Sequence, residues 1–216
     1  MVYHLGKEIS IVNQYVSEIR DAEVQQDSMR FRRNLERLGE IFAYEISKKL
    51  SFVPREVTTP LGALDVPVLE KWPVLATILR AGLPFHQGFL NVFDKSDSAF
   101  ISAYRKHHKD GRFTIQVEYV SCPDIEGKTL ILADPMLATG SSLVLSCKEL
   151  FQYGMPEEIH VATAIASTQG VEYVKQHLPH KKVHIWAAAI DEELTAHAYI
   201  VPGLGDAGDL AYGRKE

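Results

Sequence analysis

TLILADPMLATGSS, residues 129–142, is the stretch of the 216-residue sequence that decides the fold. Its apolar run, Leu130–Ala133, predicts a short strand that is buried on both faces of a sheet. Asp134 stands at the carboxyl end of that strand, which is where open α/β sheets place their ligands. The small and hydroxylated residues 138–142 then lead into an apolar periodicity that predicts a helix from about Ser141 to Gly154.

This order of parts suits a sugar phosphate. Small side chains let backbone N–H groups approach an anion, and a helix N-terminus adds unpaired donors and a favourable dipole. Thr139, Ser141 and Ser142 add hydroxyl donors for a phosphate monoester. Asp134 suits a ribose, because two cis hydroxyl groups can donate to one carboxylate. The segment therefore indicates a ribose-phosphate site.

An ordinary strand-to-helix turn, with Ser141 as the N-cap residue, is the alternative. The sequence contains neither a GxxxxGK[ST] nor a GxGxxG pattern. A P-loop and a dinucleotide fingerprint therefore do not explain the segment.

Strand and helix patterns alternate along the rest of the chain. This alternation predicts an α/β fold with a mostly parallel, twisted sheet flanked by helices. The predicted strands are Val74–Leu79, Ala99–Tyr104, Ile159–Ala166 and Val183–Ile190, the helices are 28–50, Leu83–Phe93 and Val171–Leu178, and hairpins involve Val53–Pro73 and Thr114–Val120. We expect Arg105–Arg112 to form an exposed, mobile loop because it has little to bury. The segment after Asp191 is expected to be irregular.

Composition limits the classes of function. The net charge of −5 and the pI of about 6.0 argue against nonspecific nucleic-acid binding, which needs clustered positive charge. No apolar run approaches the roughly 18 residues of a membrane span, and residues 1–10 lack the apolar stretch of a secretory signal. The two cysteines, Cys122 and Cys147, are expected to be reduced thiols. These features favour a cytoplasmic protein with no nucleic-acid or membrane partner.

The string at residues 129–142 resembles the signature of type I phosphoribosyltransferases, in which a small-residue loop grips the 5-phosphate of phosphoribosyl pyrophosphate (PRPP). Most members carry two adjacent acids there. DPMLATG, with Asp134 followed by proline, is the variant characteristic of the uracil enzymes. The resemblance implies that PRPP is bound by Asp134, Pro135, Met136, Leu137, Ala138, Thr139, Gly140, Ser141 and Ser142.

Two arginines complete the PRPP site implied by this resemblance. Arg80 lies in ILRAGL, which in the uracil family forms the loop that meets pyrophosphate. Arg105 lies in a YR pair similar to the one at the base of a mobile hairpin, here about residues 105–122. A guanidinium group suits both positions because its fork of donors matches phosphate oxygens. Arg80, Arg105 and Asp134 are the implied catalytic residues.

The tail YIVPGLGDAGD, residues 199–209, closely resembles the family's uracil-binding segment. By this resemblance Ile200, Gly205, Asp206 and Ala207 form the base site, and Asp206 also faces PRPP. Uracil presents an acceptor–donor–acceptor edge, which backbone groups of a glycine-bent loop can match. Cytosine would reverse two of the three matches, so the pattern predicts strong discrimination.

The resemblance covers nearly the whole chain and implies the transfer of phosphoribose from PRPP to uracil, giving UMP and pyrophosphate with Mg²⁺ as cofactor. It implies one domain over 1–216, with a helical N-terminal segment at 1–52, a small hood, a β-hairpin arm and a base-binding segment at 191–216. It also implies a homodimer or higher homo-oligomer. Direct protein ligands to the metal are not identified.

Two alternatives stay open from the sequence. One is an enzyme of the same fold that acts on another base, and the other is a regulatory protein that senses PRPP or nucleotides and binds RNA or DNA. The sequence also departs from the family pattern, because Pro84 and Ser141 stand where glycine is usual. We expect both departures to affect the rate of the reaction and the affinity for substrates more than the class of reaction.

Overall fold

The computed structural model describes residues 1–107, 113–178 and 182–214, with side chains described except at 103–107 and 113–116. The elements as far as residue 107 are β1 (Val2–His4), α1 (Ile11–Arg20), α2 (Ser28–Ser47), β2 (Phe52–Thr59), β3 (Gly62–Leu69), β4 (Val74–Leu79), α3 (Gly82–Val92) and β5 (Ser98–His107). The later elements are β6 (Phe113–Ser121), β7 (Thr129–Ala133), β8 (Met136–Leu137), α4 (Ser141–Leu150), β9 (Glu158–Ser167), α5 (Thr168–His177), β10 (Val183–Asp191), β11 (Glu193–Leu194), β12 (Ile200–Val201) and α6 (Ala207–Tyr212).

The central sheet has the strand order β1-β10-β9-β7-β4-β5-β6, with β8 also paired to β9. Its neighbours run parallel, apart from the antiparallel pair β5–β6. The predicted α/β class with a mostly parallel sheet is confirmed. Strands β2 and β3 form the predicted hairpin as a separate two-stranded sheet with mostly exposed residues.

Helices cover both faces of this sheet, and each face has its own apolar core. One core combines α1, α2, α3 and α6 with sheet residues such as Leu75 and Ile131. The other combines α4 and α5 with Val74, Ala76 and Leu130. Alternate residues of β4 and β7 therefore enter opposite cores, which explains why these strands are continuous apolar runs.

Helices α2 and α3 approach each other closely through two glycines. A Cβ added at Gly88 would lie 2.0 Å from the Glu36 carbonyl oxygen, and one added at Gly39 would lie 2.3 Å from Phe85 O. Only glycine permits this contact, because any side chain would collide with the backbone of the facing helix. The contact fixes α3, whose first turn follows Arg80, against the N-terminal helices.

The structure corrects three of the sequence expectations. The N-terminal segment, expected to be helical, begins with β1, which pairs parallel with β10. The loop predicted from Arg105 was wrong as far as His107, since β5 continues through these residues and pairs with β6, while residues 108–112 lie outside the described chain. The segment after Asp191, expected to be irregular, contains β11, β12 and α6. No helix in the described ranges has both the length and the apolarity needed to cross a bilayer.

Candidate active site

The candidate site lies where β4 and β7 end side by side. Thr77 and Ala133 are partners in the parallel register of these strands. Arg80 and Asp134 follow directly, so the sheet brings both to its carboxyl edge. The loop after β4 packs tightly there, because a Cβ at Gly82 would lie 2.0 Å from Thr77 Oγ1 and 3.1 Å from Ala133 O.

The loop that follows Asp134 continues the sheet before it turns. Asp134 N donates to Ala162 O at 3.0 Å, and Ile165 N donates to Pro135 O at 3.0 Å. The side chain of Leu137 is 1% exposed and packs in the core formed with α4 and α5. Leu137 can therefore offer a ligand its backbone groups and not its side chain.

The turn into α4 is made by Gly140. Its φ of 80° is left-handed, and a Cβ there would lie 2.9 Å from Gly170 O. Gly140, not Ser141, is the N-cap of α4, and Ser141 is the first helical residue. The Ser141 and Thr139 hydroxyl oxygens are 2.7 Å apart, and both residues are partly exposed. The ordinary turn with Ser141 as N-cap is therefore not what forms. The first-turn N–H groups of α4 have no intrahelical acceptors, and that of Ser141 makes only a long contact of 3.4 Å with Thr139 Oγ1.

The phosphate loop expected from the sequence, residues 135–140, is bound to the beginning of α5 by Ser167. The Ser167 hydroxyl donates to Ala138 O at 2.5 Å and accepts from Gly170 N at 2.8 Å. Gly170 allows this approach, since a Cβ there would lie 2.3 Å from Ala138 O. The Ser167 hydroxyl, at the N-cap of α5, therefore joins two segments, because it binds the Ala138 carbonyl and the first turn of α5.

Asp134 is a partly buried carboxyl group with little to stabilise its charge. Desolvation raises its pKa from 3.8 to about 7, and the Met136 backbone N–H, which donates to Oδ1 at 3.4 Å, opposes this rise only weakly. A carboxyl group with so few partners is ready to accept hydrogen bonds from a ligand. Such perturbed acids are typical of functional sites.

Arg80 faces the C-terminal segment. Its Nη2 donates to Asp209 Oδ1 at 3.3 Å and to Gly213 O at 3.1 Å, while its Nε is buried and has no hydrogen-bond partner among the residues that the structure describes. A buried donor without an acceptor is costly unless a ligand supplies one. The Arg80 side chain as a whole is 38% exposed, so its guanidinium group can present donors to an anion.

The tail brings Asp206 to the same place. Asp206 is the N-cap of α6, with Oδ1 accepting from Asp209 N at 3.0 Å. A methyl group added at Gly208 would lie 3.2 Å from Asp206 Oδ1 and 3.7 Å from Arg80 Nη2, so these two side chains approach the same point. Arg80 and the tail are therefore neighbours.

The three other residues implied for the base site differ in exposure. The Ile200 and Ala207 side chains are each 4% exposed and pack in the core of the N-terminal helices. Gly205 is exposed, with a φ of 95° and open space where a Cβ would be. The backbone of this segment, more than its side chains, is available to a ligand.

The side chain of Arg105 lies outside the described residues, so its position relative to the site is not part of the structure. Within the described chain, no group of three or more His, Cys, Asp and Glu residues is arranged to hold a metal ion. Mg²⁺ commonly keeps several waters and binds through one or two carboxylates together with substrate phosphates. The single carboxylates of Asp134 and Asp206 fit a Mg²⁺ ion that arrives with a pyrophosphate.

Sequence reasoning did not identify Asp209 and Ser167 as part of the site. Asp209 was visible as the last residue of the tail motif, but its contact with Arg80 depends on two segments 129 residues apart. Ser167 gives only the signal of a common helix N-cap, and nothing local shows that it also binds the phosphate loop.

Comparison with known proteins agrees with this geometry. The profile of the uracil phosphoribosyltransferase family matches residues 8–214. A uracil phosphoribosyltransferase of Porphyromonas gingivalis is 56% identical over 214 residues, covering 99% of both chains. That of Pyrococcus furiosus is 37% identical over 205 residues, covering 94% of this chain and 86% of the relative.

Solved structures show the same fold. The AQ2163 protein of Aquifex aeolicus has a TM-score of 0.86 with 30% identity, covering 99% of this chain and 98% of that one. A phosphoribosyltransferase of Corynebacterium diphtheriae, 14% identical, has a TM-score of 0.53 over 84% of this chain and 96% of its own, which supports the fold alone. With the family profile matching almost its full length, the chain belongs to the uracil phosphoribosyltransferase family.

Proposed function

We propose that Arg80, Asp134 and the loop before α4 carry out the reaction of the family, in which the phosphoribosyl group of PRPP is transferred to uracil to give UMP and pyrophosphate. The chain is an enzyme of this family, which serves pyrimidine salvage. The observation that carries the assignment of residues is the placement of Arg80 and Asp134 at adjacent strand ends. Arg80 Nε is buried without a partner in the described part of the chain, and the Asp134 carboxyl is poorly solvated.

The 5-phosphate binds at the N-terminus of α4. Free N–H groups of the first helical turn donate to the phosphate, and the helix dipole favours its charge. The hydroxyls of Thr139, Ser141 and Ser142 add donors. Asp134 accepts hydrogen bonds from the two ribose hydroxyls, which supplies the partners that its carboxyl group lacks in the free enzyme.

Pyrophosphate departs towards Arg80. As the bond to C1 breaks, positive charge grows on the ribose and negative charge on the leaving group. Arg80, and Arg105 from the hairpin, stabilise the leaving charge, while Asp134 lies near the ring and favours its positive charge. A Mg²⁺ ion held by the carboxylates of Asp134 or Asp206 together with PRPP would offset negative charge on the pyrophosphate. The enzyme's part is mainly to hold the reactants in line.

Uracil binds to backbone groups of residues 200–207. Amide and carbonyl groups of this bent segment complement the acceptor–donor–acceptor edge of the base, which cytosine does not present. Asp206, the α6 cap beside Arg80, links the base site to PRPP.

We propose a single domain over 1–216, acting in the cytoplasm as a homodimer or higher homo-oligomer. The exposed apolar residues of the hairpin β2–β3 favour self-association, among them Phe52 and Leu61, which are 49% and 99% exposed.

The test is to incubate the protein with MgCl₂, PRPP and uracil and to follow UMP. We expect UMP to form, and Arg80→Ala to lower kcat by about 100-fold or more because a charged donor to the leaving group is lost. Arg30→Ala is the matched control, since Arg30 binds Glu18 on the surface, with Nη2 2.9 Å from Oε1. Failure of the folded protein to make UMP would refute the assignment.

The same assay separates the alternatives. Turnover of hypoxanthine or cytosine at a rate similar to that of uracil would contradict the proposed base site. A regulatory role would instead appear as RNA or DNA binding whose affinity falls steeply with salt, measured by anisotropy from 50 to 200 mM NaCl.

A further inference from the structure

The backbone N–H and C=O of Gly203, which belong to two successive peptide groups, are both bound by one ion pair. Gly203 N donates to Asp191 Oδ2 at 3.0 Å, and Gly203 O accepts from Arg20 Nη1 at 3.0 Å. Arg20 and Asp191 are themselves joined by two hydrogen bonds, each 2.8 Å long. A carboxylate and a guanidinium group therefore bind the two polar atoms of one residue.

Gly203 occupies a sensitive point of the tail. It lies between Ile200 and Gly205, two of the residues proposed to meet the base. Its φ of 55° is left-handed, and a Cβ would lie 2.2 Å from Ile200 O. The path of the backbone through Gly203 sets the direction in which the following N–H and C=O groups point.

The ion pair is anchored in rigid elements. Arg20 is the last residue of α1, and Asp191 is the last residue of β10, one of the inner strands of the sheet. The Asp191 side chain is 9% exposed and that of Arg20 is 21% exposed, so water screens their interaction little. Thr168, at the start of α5, also donates to Asp191 O at 3.3 Å. The two residues that bind Gly203 are therefore themselves held in place by elements of the core.

We propose that the Arg20–Asp191 pair is a positioning device that sets the affinity for the base by fixing the Gly203 peptide. It rests on the proposed function, because it assumes that residues 200–207 read uracil. Both residues act through Gly203 and neither touches the reacting atoms. Weakening the pair lets the loop relax, which misaligns the backbone donors and acceptors for uracil while leaving the 5-phosphate site before α4 in place.

A second ion pair on the same helix is the matched control. Glu18, on α1, binds Arg30 through two hydrogen bonds of 2.9 Å, and within the described residues neither side chain hydrogen-bonds to the tail. Removing either pair removes a bidentate contact of α1, but only the Arg20 pair binds the backbone of the proposed base site. If both pairs were purely structural, their removal would have similar effects on catalysis.

The experiment compares Arg20→Lys, Asp191→Asn and Arg30→Lys with the unaltered protein. Lysine keeps the charge, but its single ammonium group cannot make both bonds to Asp191 and also reach Gly203 O. Steady-state assays give KM for uracil at saturating PRPP and KM for PRPP at saturating uracil, and urea unfolding reports the fold. Arg20→Ala is also measured. If that protein does not fold, the result for Arg20→Lys decides the test.

We expect KM for uracil to rise by about tenfold or more in Arg20→Lys and Asp191→Asn, with KM for PRPP changed by less than about twofold. Arg30→Lys should leave both KM values unchanged. An unchanged KM for uracil in folded Arg20→Lys, or parallel rises in both KM values, would overturn the proposal. Absence of UMP formation by the unaltered protein would instead refute the proposed function.

Discussion

Replacing Asp134 by asparagine should make the free protein more stable while it removes activity. The carboxyl group lies at the end of β7, partly buried, and within the described residues its one hydrogen bond is the long contact with Met136 N. Asparagine has nearly the same shape, and its Oδ1 can keep that contact. The substitution therefore removes a charge and changes little else.

The magnitude follows from the pKa of Asp134. Its rise from 3.8 in the unfolded chain to about 7 in the folded protein corresponds to about 4 kcal/mol lost on ionisation, at about 1.4 kcal/mol per pKa unit. Because the folded pKa is the higher one, this cost is absent well below pH 4, grows as the pH rises and is complete above about pH 7. The side chain keeps some contact with water, so we expect Asp134→Asn to gain about 2–4 kcal/mol at pH 8.

Urea unfolding of both proteins at pH 8, pH 6 and pH 4 measures this gain, with UMP formation assayed on the same samples. The gain should shrink to below about 1 kcal/mol at pH 4. Glu18→Gln should change stability in the opposite direction, because the hydrogen bond from Arg30 is the largest cause that lowers the pKa of Glu18 from 4.5 to about 2. That variant should lose stability at pH 8. Equal stability of Asp134→Asn and the unaltered protein at pH 8, or a gain that does not depend on pH, would refute the desolvation argument.

Two further predictions concern packing and the phosphate loop. Gly88→Ala should lower the free energy of unfolding by about 1–3 kcal/mol, because its Cβ would collide with Glu36 O across the contact of α2 and α3. Urea unfolding measures this loss, and an unchanged unfolding midpoint would contradict the close approach of the two helices. Ser141→Ala should raise KM for PRPP by about two- to tenfold, because it removes a hydroxyl from the phosphate site and leaves the Thr139 hydroxyl without its 2.7 Å partner. Steady-state kinetics measures this change, and a KM for PRPP equal to that of the unaltered protein would place the Ser141 hydroxyl outside the phosphate site.

Much of the sheet could be predicted from local sequence. Strand β4 was predicted with the bounds that the structure gives, Val74–Leu79, and β7 differs by one residue, because strands buried on both faces are continuous apolar runs bounded by turns. The position of Asp134 at a strand end followed from the same pattern. The family resemblance, carried by specific strings, then named the substrates.

Other features depend on contacts between distant segments and were missed. Strand β1 has only three residues and forms because β10 offers an open edge, which the local pattern VYH does not show. Helix α4 begins at Ser141 as predicted, but its N-cap is Gly140, with a left-handed φ and a close approach to Gly170, and not Ser141 as in the alternative of an ordinary turn. Arg20 and Asp191 are 171 residues apart, and no periodicity connects them.

The double role of Ser167 has a consequence for how tightly a sugar phosphate is held. A loop that must become ordered when its ligand arrives loses conformational entropy at that moment, and its affinity falls accordingly. Here the Ala138 carbonyl is already bound by the Ser167 hydroxyl, and Gly140 is already seated on α5. The loop is therefore already ordered by folding. Under the proposed function, the binding free energy of the phosphate would remain available for aligning the ribose with the base.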